Sequence, residues 1–228
     1  MIPSSLQQQY LHLMGIDLWR DRNAAEVNVS DSEAAVSLNS IDEAESWLEL
    51  RKLVTACTKC ALHQNRKQTV FGVGDTSADW MVIGEAPGAE EDRKGEPFVG
   101  RAGKLLNAML LAISLQRDQV FIANILKCRP PENRDPRAEE VDSCQSYLDR
   151  QIDLIQPRII LAVGKIAAQN LLKVDTPIGR MRGQVYEYPG SNIPVVVTYH
   201  PAYLLRSPKE KRKSWQDLQM AVQIYKER

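Results

Sequence analysis

Four short apolar runs alternate with segments of helical spacing across the last two thirds of the chain, and this alternation leaves few architectures open. The runs are Trp80 to Gly84 (WMVIG), Gln119 to Leu126 (QVFIANIL), Arg158 to Val163 (RIILAV) and Ile193 to Thr198 (IPVVVT). Each is apolar over most of its length without polar alternation, the signature of a strand covered on both faces. Between and after them, apolar residues recur at helical spacing. Leu105, Leu106, Met109 and Leu110 mark a helix over Ala102 to Ala112. Further helices are expected over Arg137 to Ile155, with Pro136 in the first turn, over Lys165 to Leu172, and over Ser214 to Tyr225. A short extra strand is expected at Gln184 to Tyr188. The pattern predicts an α/β fold: a three-layer α/β/α sandwich around a central four-stranded parallel sheet.

In such a sheet all C-terminal strand ends share one edge, and ligands bind in the crevice outside it. The residues due there are Gly84 and Glu85, Asn124, Gly164 and His200. A carboxylate, a carboxamide and an imidazole thus meet although they lie far apart in the chain. The loop after the first strand is long and polar, and Phe98, one of three phenylalanines, sits within it. A flat aromatic ring in that position suits stacking on a base. The first loop reads GEAPG, which is neither GxGxxG nor a Walker motif, and this argues against a dinucleotide or ATP site. After His200 come Leu204, Leu205 and Arg206, then the run Lys209 to Lys213 (KEKRK) with Lys209, Lys211, Arg212 and Lys213. Apolar tips beside cations suit a wedge into a base stack with phosphate anchors around it. The formal net charge is zero, but the charges are segregated, so nucleic acid is not excluded.

Four cysteines are present: Cys57 and Cys60 in a CxxC pair, then Cys128 and Cys144. In an intracellular chain that pattern points to a metal or redox centre more than to disulfides. Four thiolates by themselves suit zinc and iron–sulfur equally. Residues 1–20 read as a short helix with Leu6, Tyr10, Leu13 and Met14 on one side, and residues 21–40 as a polar linker. The domain proper is expected over 41–228, opening with a helix over Ile41 to Thr55. The terminal helix either packs back on the domain or docks a protein partner. No signal pattern and no apolar run of about 18 residues is visible, so a soluble cytoplasmic monomer without membrane contact is expected.

The longest motifs are GEAPGAEEDRKGEPFVGRAGKLL at 84–106, NILKCRPPENRDP at 124–136 and HPAYLLR at 200–206, with CTKC at 57–60. On these the chain resembles the iron–sulfur uracil-DNA glycosylases of family 4 over about residues 45–225. The first forty residues lie outside the likeness. The resemblance implies a monofunctional hydrolase of base excision repair. It implies that Cys57, Cys60, Cys128 and Cys144 ligate a [4Fe–4S] cluster of structural rather than hydrolytic role. Phe98 would stack on flipped uracil. Asn124 would accept from N3–H and donate to O4, and Gly84 would let the base approach the backbone. His200 would donate to O2, and Glu85 would position water or favour a cationic sugar. Leu204 or Leu205 would fill the vacated stack while Arg206 and the basic run hold phosphates. The alternatives are a glycosylase for another deaminated base and a non-catalytic iron–sulfur module in a repair or polymerase complex.

Overall fold

The computed structural model describes residues 46–228. The helix expected at 1–20 and the linker at 21–40 lie outside the described residues. Helix α1 covers 46–55. The remaining elements are β1 (Val73–Gly74), β2 (Trp80–Gly84), α2 (Ala89–Lys94), α3 (Arg101–Ala112), β3 (Val120–Asn124), α4 (Ala138–Ile155), β4 (Ile159–Val163), α5 (Lys165–Leu172), α6 (Ile178–Met181), β5 (Val185–Glu187), β6 (Pro194–Thr198), α7 (Pro201–Arg206) and α8 (Lys211–Lys226).

Among the described residues the sheet has six strands in the order β1-β3-β2-β4-β6-β5: the expected parallel four, the short strand expected at Gln184 to Tyr188, seen as β5, and the unexpected β1. The expected four form its parallel core, β3-β2-β4-β6, and every residue in them is buried. The two additions pair antiparallel at the edges, β1 on β3 and β5 on β6. β1 escaped the periodicity reading because two residues cannot show a period. The edge strands are partly exposed, as edges are when only one flank is covered.

Because side chains alternate across a strand, each parallel strand feeds two cores. Met81, Ile83, Phe121, Ala123, Ile160, Ala162, Val195 and Val197 face one side and pack with residues of α1, α4 and α5. Trp80, Val82, Val120, Ile122, Ile159, Leu161, Val163 and Val196 face the other and pack with α3, α7 and α8. This is the expected three-layer arrangement. The chain passes from β2 outward to β3 over one face, then returns across β2 to β4 over the other face. Right-handed crossovers require that change of face. The loops after β2 and β4 therefore diverge, and a crevice opens between them at the C-terminal edge. Among the described residues no helix is long and apolar enough to cross a membrane.

Candidate active site and cysteine centre

A cavity of about 460 Å³ lies at that strand edge, and Glu85, Phe98, Asn124 and His200 all line it. Register explains the closest pair. Gly84 of β2 sits directly beside Asn124 of β3. The two chains stay zipped beyond the strands through Ile125 N–H to the Gly84 carbonyl at 2.9 Å and Leu126 N–H to the Glu85 carbonyl at 3.1 Å. A Cβ on Gly84 would stand 2.5 Å from the Asn124 Oδ1 and 2.6 Å from the Phe98 ring. Gly84 is thus the space that the carboxamide and the ring occupy. Asn124 itself is 2 % exposed. Its backbone carbonyl accepts from the buried Lys127 Nζ at 2.9 Å, and the same ammonium donates to Gln151 Oε1 on α4 at 2.6 Å.

His200 caps α7. The Ala202 backbone N–H donates to its Nδ1 at 3.1 Å. A backbone N–H can only donate, so Nδ1 carries no proton and the neutral ring keeps its hydrogen on Nε2. Burial, reinforced by the Arg206 charge, pushes the His200 pKa down to about 4. Glu85 shifts the other way. Burial first, and the Asp135 carboxylate second, push its pKa up to about 7. Gly164, with φ +103°, turns the chain after β4; a Cβ there would stand 3.0 Å from the His200 Cβ. The Phe98 and His200 rings lie 5.6 Å apart at an interplanar angle of 32°.

The cavity also takes Glu91, Arg134, Asp135 and Tyr203, which the sequence reading did not assign to the site. Glu91 stood out only as one acid among several. It belongs to the short helix α2, hidden in sequence because six residues seldom show a helical period. Its Oε1 accepts from the Val99 and Gly100 N–H groups at 3.0 and 3.2 Å, at the N-terminus of α3. Asp135 was legible only as the residue before a helix-starting proline.

The basic flank divides by burial. Arg206 lines the cavity, Leu205 is 36 % exposed, and Lys209, Lys211 and Arg212 are exposed. Lys213 Nζ pairs with Glu210 at 2.8 Å. Leu204 corrects the expectation: it is 1 % exposed and packs in the core shared with α3 and α8. Consecutive residues on a helix point in different directions, so only one of the two leucines can face outward. Likewise α8 begins at Lys211, three residues earlier than expected, and the end of the basic run lies on its first turn.

Cys57, Cys60, Cys128 and Cys144 line one further cavity beside the C-terminal end of β3. They come from the segment after α1, the loop after β3 and the first half of α4. No three His, Cys, Asp or Glu side chains among the described residues are placed to hold a single ion; the four cysteines are instead ranged around this space. A four-iron cluster takes one thiolate at each iron, so it needs sulfurs spaced around a cavity. Two sulfurs already accept hydrogen bonds, Cys128 from Arg66 at 3.1 Å and Cys144 from the Lys127 N–H at 3.3 Å. As free thiols they would stay protonated, since burial pushes Cys144 up to about 11 and raises Cys128 too. Four cysteine sulfurs lining one space are a soft donor set that suits zinc and iron–sulfur centres alike.

Comparison with known proteins adds an independent line. The Uracil DNA glycosylase superfamily matches residues 71–219. A type-4 uracil-DNA glycosylase of Archaeoglobus fulgidus is 47 % identical over 171 residues, covering 72 % of this chain and 86 % of that protein. One from Thermotoga maritima is 40 % identical over 176 residues, covering 76 % of this chain and 91 % of that protein. A type-5 uracil-DNA glycosylase of Pyrobaculum aerophilum is 35 % identical over 148 residues, covering 58 % of this chain and 64 % of that protein.

Proposed function

The chain belongs to the uracil DNA glycosylase superfamily, with the type-4 enzymes, and on that footing we propose that it excises uracil from DNA. The reaction is hydrolysis of the bond between uracil N1 and deoxyribose C1′, giving free uracil and an abasic site. The observation that carries the reading is the meeting of Glu85, Phe98, Asn124 and His200 in one strand-edge cavity. The target base must leave its stack to reach such a cavity. Single-stranded DNA saves the unpairing energy, so both forms serve as substrate.

As the bond breaks, the sugar becomes cationic and the uracil anionic. The Nε2–H of His200 donates to uracil O2, where charge develops, and does so as neutral imidazole. The Ala202 N–H on Nδ1 supports that tautomer. Ionised Glu85 favours the cationic sugar and orients the attacking water. Asn124 reads the base edge, accepting from N3–H and donating to O4. Cytosine reverses both partners and would leave buried polar groups unpaired. Phe98 stacks on the base. Leu205 fills the gap in the stack, with Arg206, Lys209, Lys211, Arg212 and Lys213 on phosphates.

Cys57, Cys60, Cys128 and Cys144 would hold a [4Fe–4S] cluster. When bound it supplies a tether between the segment after α1, the loop after β3 and α4, and takes no part in proton or bond changes. The reading takes the protein to act as a monomer in the cytoplasm.

The test uses two end-labelled oligonucleotides, carrying uracil or thymine at one position, incubated with protein and EDTA and then treated with alkali. A cleavage band on the uracil strand alone is expected. No band on either strand, single or duplex, with the iron–sulfur absorption intact, would overturn the reading.

A further inference from the structure

The backbone at Phe98 has φ 52°, the left-handed region that a bulky residue rarely adopts. Such a conformation persists only where its surroundings fix it. Here they fix it from two sides. On one side Glu91 holds the following Val99 and Gly100 N–H groups. On the other lies Arg117, in the turn Arg117–Gln119 that precedes β3, at the opposite end of that strand from Asn124. Its Nη2 donates to the Pro97 carbonyl at 2.6 Å. Its Nη1 donates to the Phe98 carbonyl at 3.4 Å and to Asn107 Oδ1 on α3 at 3.2 Å. Beneath the same carbonyl, Gly103 of α3 leaves the room needed, for a Cβ there would stand 1.7 Å from the Phe98 oxygen.

The Glu96 carboxylate acts on the Arg117 charge, but the guanidinium's hydrogen bonds go elsewhere: it forks onto two successive carbonyls of the loop that carries the Phe98 ring, and onto the helix that begins just after it. The planar guanidinium can span those acceptors at once, which a lysine ammonium cannot do with fixed geometry. We propose that Arg117 is a positioning residue for base recognition: through the Pro97 and Phe98 carbonyls it locks the left-handed turn that presents the Phe98 ring to the flipped base. This rests on the glycosylase reading above for its kinetic consequence, but not for the clamp itself.

The experiment is a double-mutant cycle on Arg117→Ala and Phe98→Ala, read as kcat/KM on uracil-containing single-stranded DNA, with circular dichroism and Tm as fold controls. Misplacing a stacking group costs on the order of ten- to a hundredfold, and Arg117→Ala alone is expected to lose that much. In the Phe98→Ala background the same change should cost no more than about twofold. Equal losses in both backgrounds would overturn the proposal, because Arg117 would then act by another route. If Arg117→Ala fails to fold, Arg117→Lys takes its place in the same cycle, and wild-type activity for Arg117→Lys would likewise remove the need for a fork. A second arm reads the clamp without any turnover. Amide exchange at Val99 and Gly100 should quicken in Arg117→Ala while exchange in β2 and β4 stays put; unchanged exchange at both loop amides overturns the clamp. Wild-type protein that leaves uracil DNA intact, with exchange responding as expected, would instead sink the glycosylase reading and leave the clamp standing.

Discussion

Two ionisable groups in the cavity are tuned in opposite directions, and their chemistry follows from that. Burial keeps His200 neutral down to about pH 4, so an imidazole hydrogen-bond donor is available at every working pH. Glu85 is raised to about 7, so it gains its charge only as the pH climbs through neutrality. If the carboxylate form opposes the cationic sugar, single-turnover rate should rise with pH with a midpoint near 7, with no separate step near the ordinary histidine value of about 6.5. Glu85→Gln should flatten that limb; a limb that persists in Glu85→Gln would assign it to another group. The neighbouring leucines make a second residue-scale contrast. Leu205 is exposed and Leu204 is buried in the core. Leu205→Ala should slow excision from duplex more than from single strand and leave Tm unchanged. Leu204→Ala should cost about 2–5 kcal/mol of stability. A duplex-specific defect in Leu204→Ala at unchanged Tm would reverse the two assignments.

At the scale of elements, the stretch from Asn124 to Cys128 joins the two centres. Lys127 contributes twice: its ammonium holds the Asn124 carbonyl, and its backbone N–H reaches the Cys144 sulfur. Its far partner Gln151 is tied in turn to the Phe71 carbonyl at 2.9 Å, so α4, the strand end and the segment before β1 share one buried polar chain. The cysteine cluster and Asn124 are therefore linked through one chain of hydrogen bonds. Cys128→Ala should lower iron content and Tm together, with residual uracil-to-cytosine preference falling as the strand end loosens. Full iron content in Cys128→Ala would take that residue off the ligand set. On the opposite face, α8 is seated by the bidentate pair of Arg182 with Asp217, at 2.7 and 2.8 Å, and by Arg182 packing over the Tyr199 ring. That seat fixes the helix whose first turn carries Lys211 and Arg212.

For the molecule as a whole, zero formal charge conceals a local field. Cations cluster on α7, the turn Pro208–Glu210 and the start of α8, while Lys127, in the loop after β3 with Arg129, Arg134 and Arg137, is buried inside the protein. Arg134 of that loop pairs with Glu140. Phosphate contacts should therefore come from one flank. The Lys211→Ala, Arg212→Ala double variant should lower the slope of log affinity against log salt by about 2, equally for uracil and thymine DNA. An unchanged slope would move the phosphate contacts elsewhere.

What the sequence by itself determined was the parallel core and the identity of the groups at its edge. Continuous apolar runs specify doubly covered strands, and a parallel sheet sends every strand end to one side, so Glu85, Asn124 and His200 could be brought together on paper. The long motifs and the four cysteines likewise stood in the open. The tertiary structure alone decided the rest, because those features depend on groups distant in the chain. The edge strand β1, two residues long, is too short to carry a period and exists through its pairing with β3. Which leucine faces outward was set by how α7 rolls onto α3, a matter of packing rather than composition. Burial first, and Asp135 second, raise Glu85 only because folding closes the cavity around it, whereas the Ala202 N–H that fixes the His200 tautomer is a local contact two residues on. Arg117 gave no sign in sequence of touching Phe98, since the two lie 19 residues apart and their contact leaves no local pattern.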